Sequence, residues 1–380
     1  MSFFEVFKGE AKLIFTDIAI VLTIIGGVIL YSFLYPQPYA KESVSKLSVS
    51  AVDLDKSELS RSLLHKLNAT PQIDIVRHDM SLRDAQKALI EAKIKAIVVI
   101  PAHFKRDIAL GVSPSIAVGA DSSYFLIYGA VLEGAMHAVL TDAAKIKVTE
   151  LLKAQVPLAK AKDAFTPYSL NAMNLFNKDN SYVEYVVPAV FIIILQQTLL
   201  IGLGILGGGI NERRKLGIEG YYDKAKPYQL ILSRVLIFGT IFFTHMLFYF
   251  GFSYEIFHIV HVANILELLT FGSMFLLAVI MLGIFLGSLF SSREIATPLV
   301  LFSSLPLVFG AGFIWPVEAM PAFIYYLSYL SPSTPAIQGF LSLNQMGASF
   351  AMVREEYLIL ALQAFVYGFL AWYLNRRAVS

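Results

Sequence analysis

The hydropathy of this chain runs in three stages: one apolar stretch near the N-terminus, about 150 water-compatible residues, then a crowd of apolar stretches to the C-terminus. A hydrocarbon layer about 30 Å thick is crossed by roughly 20 mostly apolar residues in helical form. That measure predicts spans at Ile18–Tyr35, Tyr185–Leu206, Leu232–Phe252, Ile265–Phe290, Pro298–Trp315 and Tyr357–Leu374. In the polar stretch the period changes. Leu47–Asp53 alternates like a strand, and Ser57–Leu67 reads as a helix opened by Asp55 and Ser57. Ile73–Val76 is a second strand, Ser81–Lys93 a helix opened by Ser81 with Asp84 three residues on, and Ala96–Ile100 a buried strand stopped by Pro101. His103–Leu110 reads as helix, Ser115–Ala120 as strand and Ser123–Gln155 as a long helix. Strands alternating with helices predict a small α/β domain on a mixed or parallel sheet. The expected fold is therefore an α-helical membrane protein of six transmembrane helices, with a large α/β extracytoplasmic domain between the first and second. The expected divisions are 1–35, 36–183 and 184–380.

Composition agrees, with 57% hydrophobic and 15% charged residues and a mean hydropathy of +0.65, which excludes most soluble enzymes. Charge then orients the spans. Lys8 and Lys12 precede the first, Arg213, Arg214, Lys215, Lys224 and Lys226 follow the second, Arg293 follows the fourth, and Arg376 and Arg377 follow the sixth. The opposite loops hold almost none: Ser253–Asn264 has no Lys or Arg, and Pro316–Glu356 has only Arg354. Positive charge is retained on the cytoplasmic side, while long domains translocate regardless of it. Both termini are thus expected in the cytoplasm and the insert outside, in a multi-pass protein of the inner (plasma) membrane. With no cysteine, the insert must be held by its own core. A cleavable leader ending near Tyr39-Ala40-Lys41 is the alternative for the first span, opposed by Glu5, Glu10 and Asp17, where a leader is basic. Phe3, Phe4, Phe7, Ala11, Ile14 and Phe15 recur at helical spacing, which predicts an interfacial helix before the span or a simple extension of it.

Polar residues inside spans are costly and tend to face a bundle interior or cavity. Gln196, Gln197 and His245 are accordingly candidates for a translocation path, and Asp17 and Glu184 sit at bilayer edges. For His245 the competing roles are proton relay and interhelical hydrogen bonding. No acidic residue lies deep in a span, which argues against proton or sodium coupling. Glu255, His258, His261 and Glu267 gather near one loop without the convergence a metal site needs, so no metal is expected. There is no G-x-S-x-G for hydrolysis, and a net charge of +2 without a basic aromatic cluster gives no sign of nucleic-acid binding. Gly202–Gly209 leads into Ile210-Asn211-Glu212 and has no phosphate-gripping lysine; close helix packing and helix termination explain it better. Pro316, Pro321, Pro332 and Pro335 break helix, yet the residues between are too apolar for an open loop. Short helices dipping into the outer leaflet over 316–350 satisfy both facts, with an aromatic belt of Trp315, Phe323, Tyr325, Tyr326 and Tyr329 as the companion reading.

Several segments resemble one family, in order along nearly the whole chain. Val52-Asp53-Leu54-Asp55-Lys56-Ser57-Glu58-Leu59-Ser60-Arg61 is similar to the "VDxDxSxxSR" run that opens the external domain of type-2 ATP-binding-cassette (ABC) exporter permeases. Ala96–Pro101 with His103-Phe104, Asn174–Asn177 with Tyr185–Pro188, and the tail segments Gly312–Pro321, Leu330–Gly339 and Asn344–Ala348 resemble later stretches of the same family. The resemblance implies that the 316–350 segment closes the outer end of the path, with Pro316, Met320, Pro321, Pro332 and Pro335 as gate candidates. It implies a coupling helix in the cytoplasmic loop 207–232, where Glu212–Glu219 resembles "ExxxGTxE" with Ile218 for threonine and Glu219 one place early. Glu212, Arg213, Arg214, Gly217 and Glu219 become candidate contacts for a separate ATPase. This chain would then be no enzyme and bind no cofactor, with ATP and Mg held by the partner subunit. Other implied partners are a second permease as homodimer or heterodimer, a periplasmic membrane-fusion adaptor, and membrane lipids. The expected function is the permease subunit of an ATP-driven ABC exporter moving an amphipathic or hydrophobic drug, lipid or envelope component outward. The alternative is a non-transporting membrane sensor, mechanotransmitter or envelope assembly factor.

Overall fold

The structure is a computed structural model that describes residues 1–37, 45–121, 125–160, 176, 181–315 and 317–377; Tyr39–Lys41, Asn174, Leu175, Asn177 and Pro316 lie outside these. The chain folds as two compact units, Ser43–Met173 and Met1–Glu42 with Asn174–Ser380.

The smaller unit is built on four strands, β1 (Leu47–Asp53), β2 (Ile73–His78), β3 (Ala96–Ile100) and β4 (Ala117–Ala120), in the order β2-β1-β3-β4. β1 pairs in parallel with β2 and β3, and β4 closes the edge antiparallel to β3. Strand side chains alternate between faces, so Val49, Ala51, Ala96 and Val98 share one core with Leu63, Leu67, Phe104, Val131 and Ala135. These last come from α3 (Glu58–Asn68), α5 (Phe104–Ala109) and α6 (Phe125–Lys153). Val52 and Ile97 turn to the opposite face, against Ala85 and Ala88 of α4 (Leu82–Ile90). A Lys66–Asp142 ion pair ties α3 to α6.

The Val52–Arg61 run is a folding device at the carboxyl ends of β1 and β3. One carboxylate oxygen of Asp53 accepts the Asp55 and Lys56 amides at 3.1 and 2.9 Å, and the other accepts the Ser60 hydroxyl at 2.7 Å. Ser57 caps α3 through the Ser60 amide, and Arg61 donates to the Lys56 carbonyl, holding Lys56 at φ +51°. Asp55 reaches the amide of Lys105 in the first turn of α5. The Ser57 hydroxyl, with the α5 amides, holds the Asp55 carboxyl below its ordinary value against the opposing effect of desolvation. For Asp79, desolvation pushes upward but the Ser50 hydroxyl and Arg77 win, and the carboxyl is again lowered.

In the larger unit, α1 (Phe3–Thr16) opens with a Ser2/Glu5 capping box and meets α2 (Ile18–Leu34) at a bend of 78°. Asp17 makes the corner by accepting the Ala19 and Ile20 amides. Then follow α7 (Tyr182–Lys215), the short α8 (Tyr221–Lys224), α9 (Pro227–Leu247, helical onward to Ile256), α10 (Ile265–Leu289), α11 (Ala296–Gly310), α12 (Ala322–Ser328), α13 (Ser333–Asn344) and α14 (Arg354–Arg377). Among the described residues five helices are long and apolar enough to cross a membrane, and the bent α1–α2 pair would make a sixth. α7 is the pillar, buried throughout its apolar window and packed on α2, α9, α10, α11 and α13.

Two expectations are corrected here. The glycine run does not end a helix, because α7 continues through it to Lys215. In hydrocarbon, water does not compete for helix hydrogen bonds, so glycine's cost falls. The close-packing part of the expectation holds, because the glycines admit neighbours. A Cβ on Gly207 would stand 2.6 Å from the Gly287 backbone, and one on Gly208 would stand 2.4 Å from the Ser292 carbonyl. The charged Glu212–Lys215 run is therefore the last turn of a span, not a separate coupling helix in a loop.

The second correction concerns α1. Its buried stripe is Val6, Glu10 and Ile14, whereas Phe4 and Phe15 are exposed. The inward glutamate forms a two-point ion pair with Arg234 of α9 at 3.0 and 3.1 Å. Gly9 lets the Tyr221 ring of α8 lie where a Cβ would come within 2.6 Å, and Gln229 donates to the Met1 carbonyl. α1, α8 and the start of α9 thus make one block.

Acid should loosen the smaller unit. Lowered carboxyls contribute stability above their unfolded value, near 3.9, and the contribution is lost as pH falls through the folded value. Circular dichroism of the full chain in lipid nanodiscs should show an acid-unfolding limb that Asp55→Asn flattens; an identical limb in the variant contradicts this. In the larger unit, Glu10→Gln should cost about 3–5 kcal/mol, because Arg234 keeps a buried, half-compensated charge. A double-mutant cycle with Arg234→Met, read by thermal unfolding in detergent, should show coupling of that sign.

Candidate functional site

Hydrogen bonds sort the bundle into two ends. At one end Arg293 pairs with Asp17 at 3.0 Å, Lys215 donates to the Ser291 carbonyl, Asn375 donates to Ser288, and Asn211 caps α10 through the carbonyls of Ser288 and Phe290. The arginine-rich segments and the C-terminal turn of α14 therefore gather where α1 lies. At the other end Gln345 donates to the Glu184 carbonyl, the Val262 amide to Asn344, and the Phe350 amide to Glu267.

At the arginine end, α7 stops in a six-residue closure. The Ile218 amide bonds the Arg213 carbonyl at 2.9 Å and the Gly217 amide bonds Arg214 at 3.0 Å, with Gly217 at φ +72°. Gly217 is there for its left-handed backbone. Arg214 is spent locally: it donates to Asp223 at 2.9 Å and to the Tyr222 carbonyl at 3.2 Å, and lies 5.5 Å over the Tyr222 ring. The Tyr222 hydroxyl returns to the Ile218 carbonyl at 2.8 Å. What projects is a tip of Leu216 (69% exposed), Ile218 (52% exposed) and Glu219, with Arg213 beside it; Glu212 is half-buried. Apolar Leu216 and Ile218 are the tip residues that charge-based reasoning passed over.

Midway along α7, Gln196 and Gln197 face different neighbours, as adjacent helix positions must. Gln196 accepts the Ser333 amide at 2.8 Å and donates to Ser331 at 2.9 Å, so it holds the N-terminus of α13. Gln197 donates to Ser304 at 2.7 Å and to the Val300 carbonyl at 3.3 Å of α11. His245 turns to the first span. The first span is π-helical there, over Leu22–Gly27, and one turn on Tyr249 donates to the Val28 carbonyl at 2.7 Å. A π turn disturbs the i→i+4 ladder and leaves carbonyls open to such donors. Of the three path candidates, Gln196 and Gln197 make interhelical hydrogen bonds, whereas the buried Nε2 of His245 has no hydrogen-bond partner among the described residues.

The length of α13 now locates the proline-rich segment. Glu184 to Gln196 along α7 is about 18 Å, and the twelve residues of α13 cover about 18 Å. With Gln345 at Glu184 and Ser333 at Gln196, α13 runs from the middle of the bundle to the end away from the arginines. The turn before it is held at the same depth from the last span: Gln363 donates to the Tyr329 carbonyl and Tyr367 to the Leu330 carbonyl. α12 and α13 form a helical hairpin whose turn lies midway along α7. Tyr325, Tyr329 and Gln338 are linked hydroxyl to hydroxyl to amide, at 3.0 and 2.6 Å, across its two arms.

The prolines start helices more than they break them. Pro321 precedes α12 and Pro332 precedes α13, while Pro335 lies in the first turn of α13, where a missing N–H costs nothing. Met320 closes a short turn through its amide to Val317. Pro316 lies outside the described residues. Sequence reasoning missed Gln363, a mid-span polar residue detectable by the test that found Gln196, and Arg234, a charge just inside a predicted span.

A family model described as an ABC-2 family transporter protein matches residues 18–373. No curated protein matches the chain at a significant level. Because the match runs from the first residue of α2 almost to the end of α14, the chain belongs to the ABC-2 family of transporter permeases, membrane components whose ATPase is a separate subunit.

Proposed function

We propose that the chain is the membrane half of an ATP-driven exporter, with the Leu216–Glu219 tip as the surface an ABC ATPase pushes and the α12–α13 hairpin as the outer closure. The observation that carries this reading is the division of labour between the two ends of the bundle. One end gathers the arginines, α1 and an exposed apolar tip. The other receives a hairpin whose turn hangs at mid-depth on Gln196, Gln363 and Tyr367. Positive charge is retained inside, so the arginine end and both termini are cytoplasmic in this reading. The inner membrane of a bacterium is the setting, and the 43–173 insert, which leaves after α2 and rejoins before α7, is extracytoplasmic. Six spans follow if α2 crosses, as its length of about 25 Å and the 78° corner at Asp17 support.

Such a bundle needs a second copy, or a similar permease, to enclose a path, and the substrate class best suited to walls this apolar is an amphipathic or hydrophobic molecule. The ATPase grips Leu216 and Ile218, while Glu219 sets register by charge. Closure of the ATPases moves the tip, and the rigid joint of Arg214, Asp223 and Tyr222 passes the motion to α9 through Arg234 and to α1 through Tyr221.

Two expected outcomes test this. Ile218→Asp with Leu216→Asp should abolish co-purification with the cognate ABC ATPase, while expression and thermal stability stay near the parent's. Unchanged association removes the docking surface, and no association of the parent chain with any ATPase favours a sensor. Gln196→Leu should leave ATPase association intact but lower substrate-stimulated ATP hydrolysis and transport, and cost about 1–3 kcal/mol for the Ser333 amide and Ser331 hydroxyl left unpaired in the bundle. Full transport by that variant rules out the hairpin as the outer closure.

A further inference from the structure

Where α1 turns into α2, a cleft of about 240 Å³ opens between this corner and the arginine end of α7. Its floor is aliphatic, made by Leu13, Ile20, Leu206 and Ile210, and its mouth carries Asp17, Arg293, Glu212 and Arg213. Asp17 and Arg293 neutralise each other at 3.0 Å, and Asp17 is spent further on the α2 amides. Among the described residues neither Glu212 nor Arg213 has an ion-pair partner, so the mouth presents one free anion and one free cation above an apolar floor. Gly209 keeps the cleft open: a Cβ there would come no nearer than 4.0 Å to Arg293. Phe15 and Ile18, on either side of the corner, are exposed apolar residues, which sets the cleft at the boundary between headgroups and acyl chains.

We propose that this cleft binds a zwitterionic aminophospholipid from the cytoplasmic leaflet, with its phosphate on Arg213, its primary ammonium on Glu212, and the start of an acyl chain on the aliphatic floor. A guanidinium matches a phosphate through paired N–H donors, and a primary ammonium brings N–H groups that a carboxylate accepts. A purely anionic headgroup would leave Glu212 facing negative charge. A choline headgroup carries the cation without any N–H to donate. The bound lipid would wedge α1 and α7 at a fixed spacing beside the Leu216–Glu219 tip. Binding itself does not depend on whether the chain transports.

Native mass spectrometry of the full chain tests the site without an ATPase present. The detergent-purified protein is titrated with dioleoyl phosphatidylethanolamine, phosphatidylcholine and phosphatidylglycerol. Phosphatidylethanolamine is expected to bind about tenfold more tightly than either competitor, the scale of one charge-assisted hydrogen bond. Glu212→Gln should reduce that preference to near parity with phosphatidylcholine, and Arg213→Gln should weaken both. Gly209→Leu fills the cleft without altering charge and should remove the selective adduct while the melting temperature without lipid is retained. Soluble glycerophosphoethanolamine should fail to displace the lipid, because it cannot use the aliphatic floor. Equal binding of the three lipids overturns the proposal, as does an unchanged preference in both Glu212→Gln and Gly209→Leu. Displacement by the soluble headgroup overturns the lipid assignment in favour of a small zwitterionic solute.

Discussion

A peptide group inside hydrocarbon has no water to fall back on, and the turn between α12 and α13 is where this chain meets that constraint most sharply. Carbonyls and amides freed by the turn must find protein partners or the hairpin cannot descend. Gln196 accepts the Ser333 amide, Gln363 and Tyr367 take the carbonyls of Tyr329 and Leu330, and Ser328 accepts the hydroxyl of Thr334 at its carbonyl. Gln196, Gln363 and Tyr367 sit on full-length helices, and Thr334 belongs to the hairpin itself. The hairpin is therefore only as well placed as α7 and α14, and these are registered by glycine contacts and by the polar cluster of Asn211, Ser288 and Asn375 at the far end.

The arginine end obeys a different rule. Three ion pairs lie there, Glu10 with Arg234, Asp17 with Arg293 and Arg214 with Asp223, and only the first is buried. A buried pair adds little net stability, yet removing one partner is costly, so Glu10–Arg234 acts as a register pin and the two more exposed pairs are weaker ties. Together they connect α1, α7, α8, α9 and the turn before α11.

The smaller unit shows how a family motif resolves into hydrogen bonds. Asp53, Asp55, Ser57 and Ser60 occur at the spacing they do because one carboxylate must span two amides and a hydroxyl, and the other must reach the first turn of α5. The motif is structural, and the chemistry of the unit's surface is free to differ.

Much of this was legible along the chain. The apolar runs and their flanking arginines marked α7, α9, α10, α11 and α14, because each span must meet the length of the bilayer by itself, a local requirement. Alternation marked the four strands, and proline spacing with apolar filling marked the hairpin. Other features were not legible, because they depend on which face meets which neighbour. The apolar positions of α1 divide, with Ile14 buried, Phe7 and Ala11 packed on the core and Phe4 and Phe15 exposed, and the glutamate between its phenylalanines points in to Arg234. The glycine run signalled close packing, which it makes with Gly287 and Ser292, but not that the helix continues through it. Gln196, Gln197 and His245 were identified as costly, but whether such residues line a path or bind a neighbour depends on what lies opposite. Composition and periodicity thus determined what each segment must satisfy, namely length, side and burial. Tertiary structure alone decided which polar group satisfies which, because partners such as Gln196 and Ser333 meet only when distant helices pack at one depth.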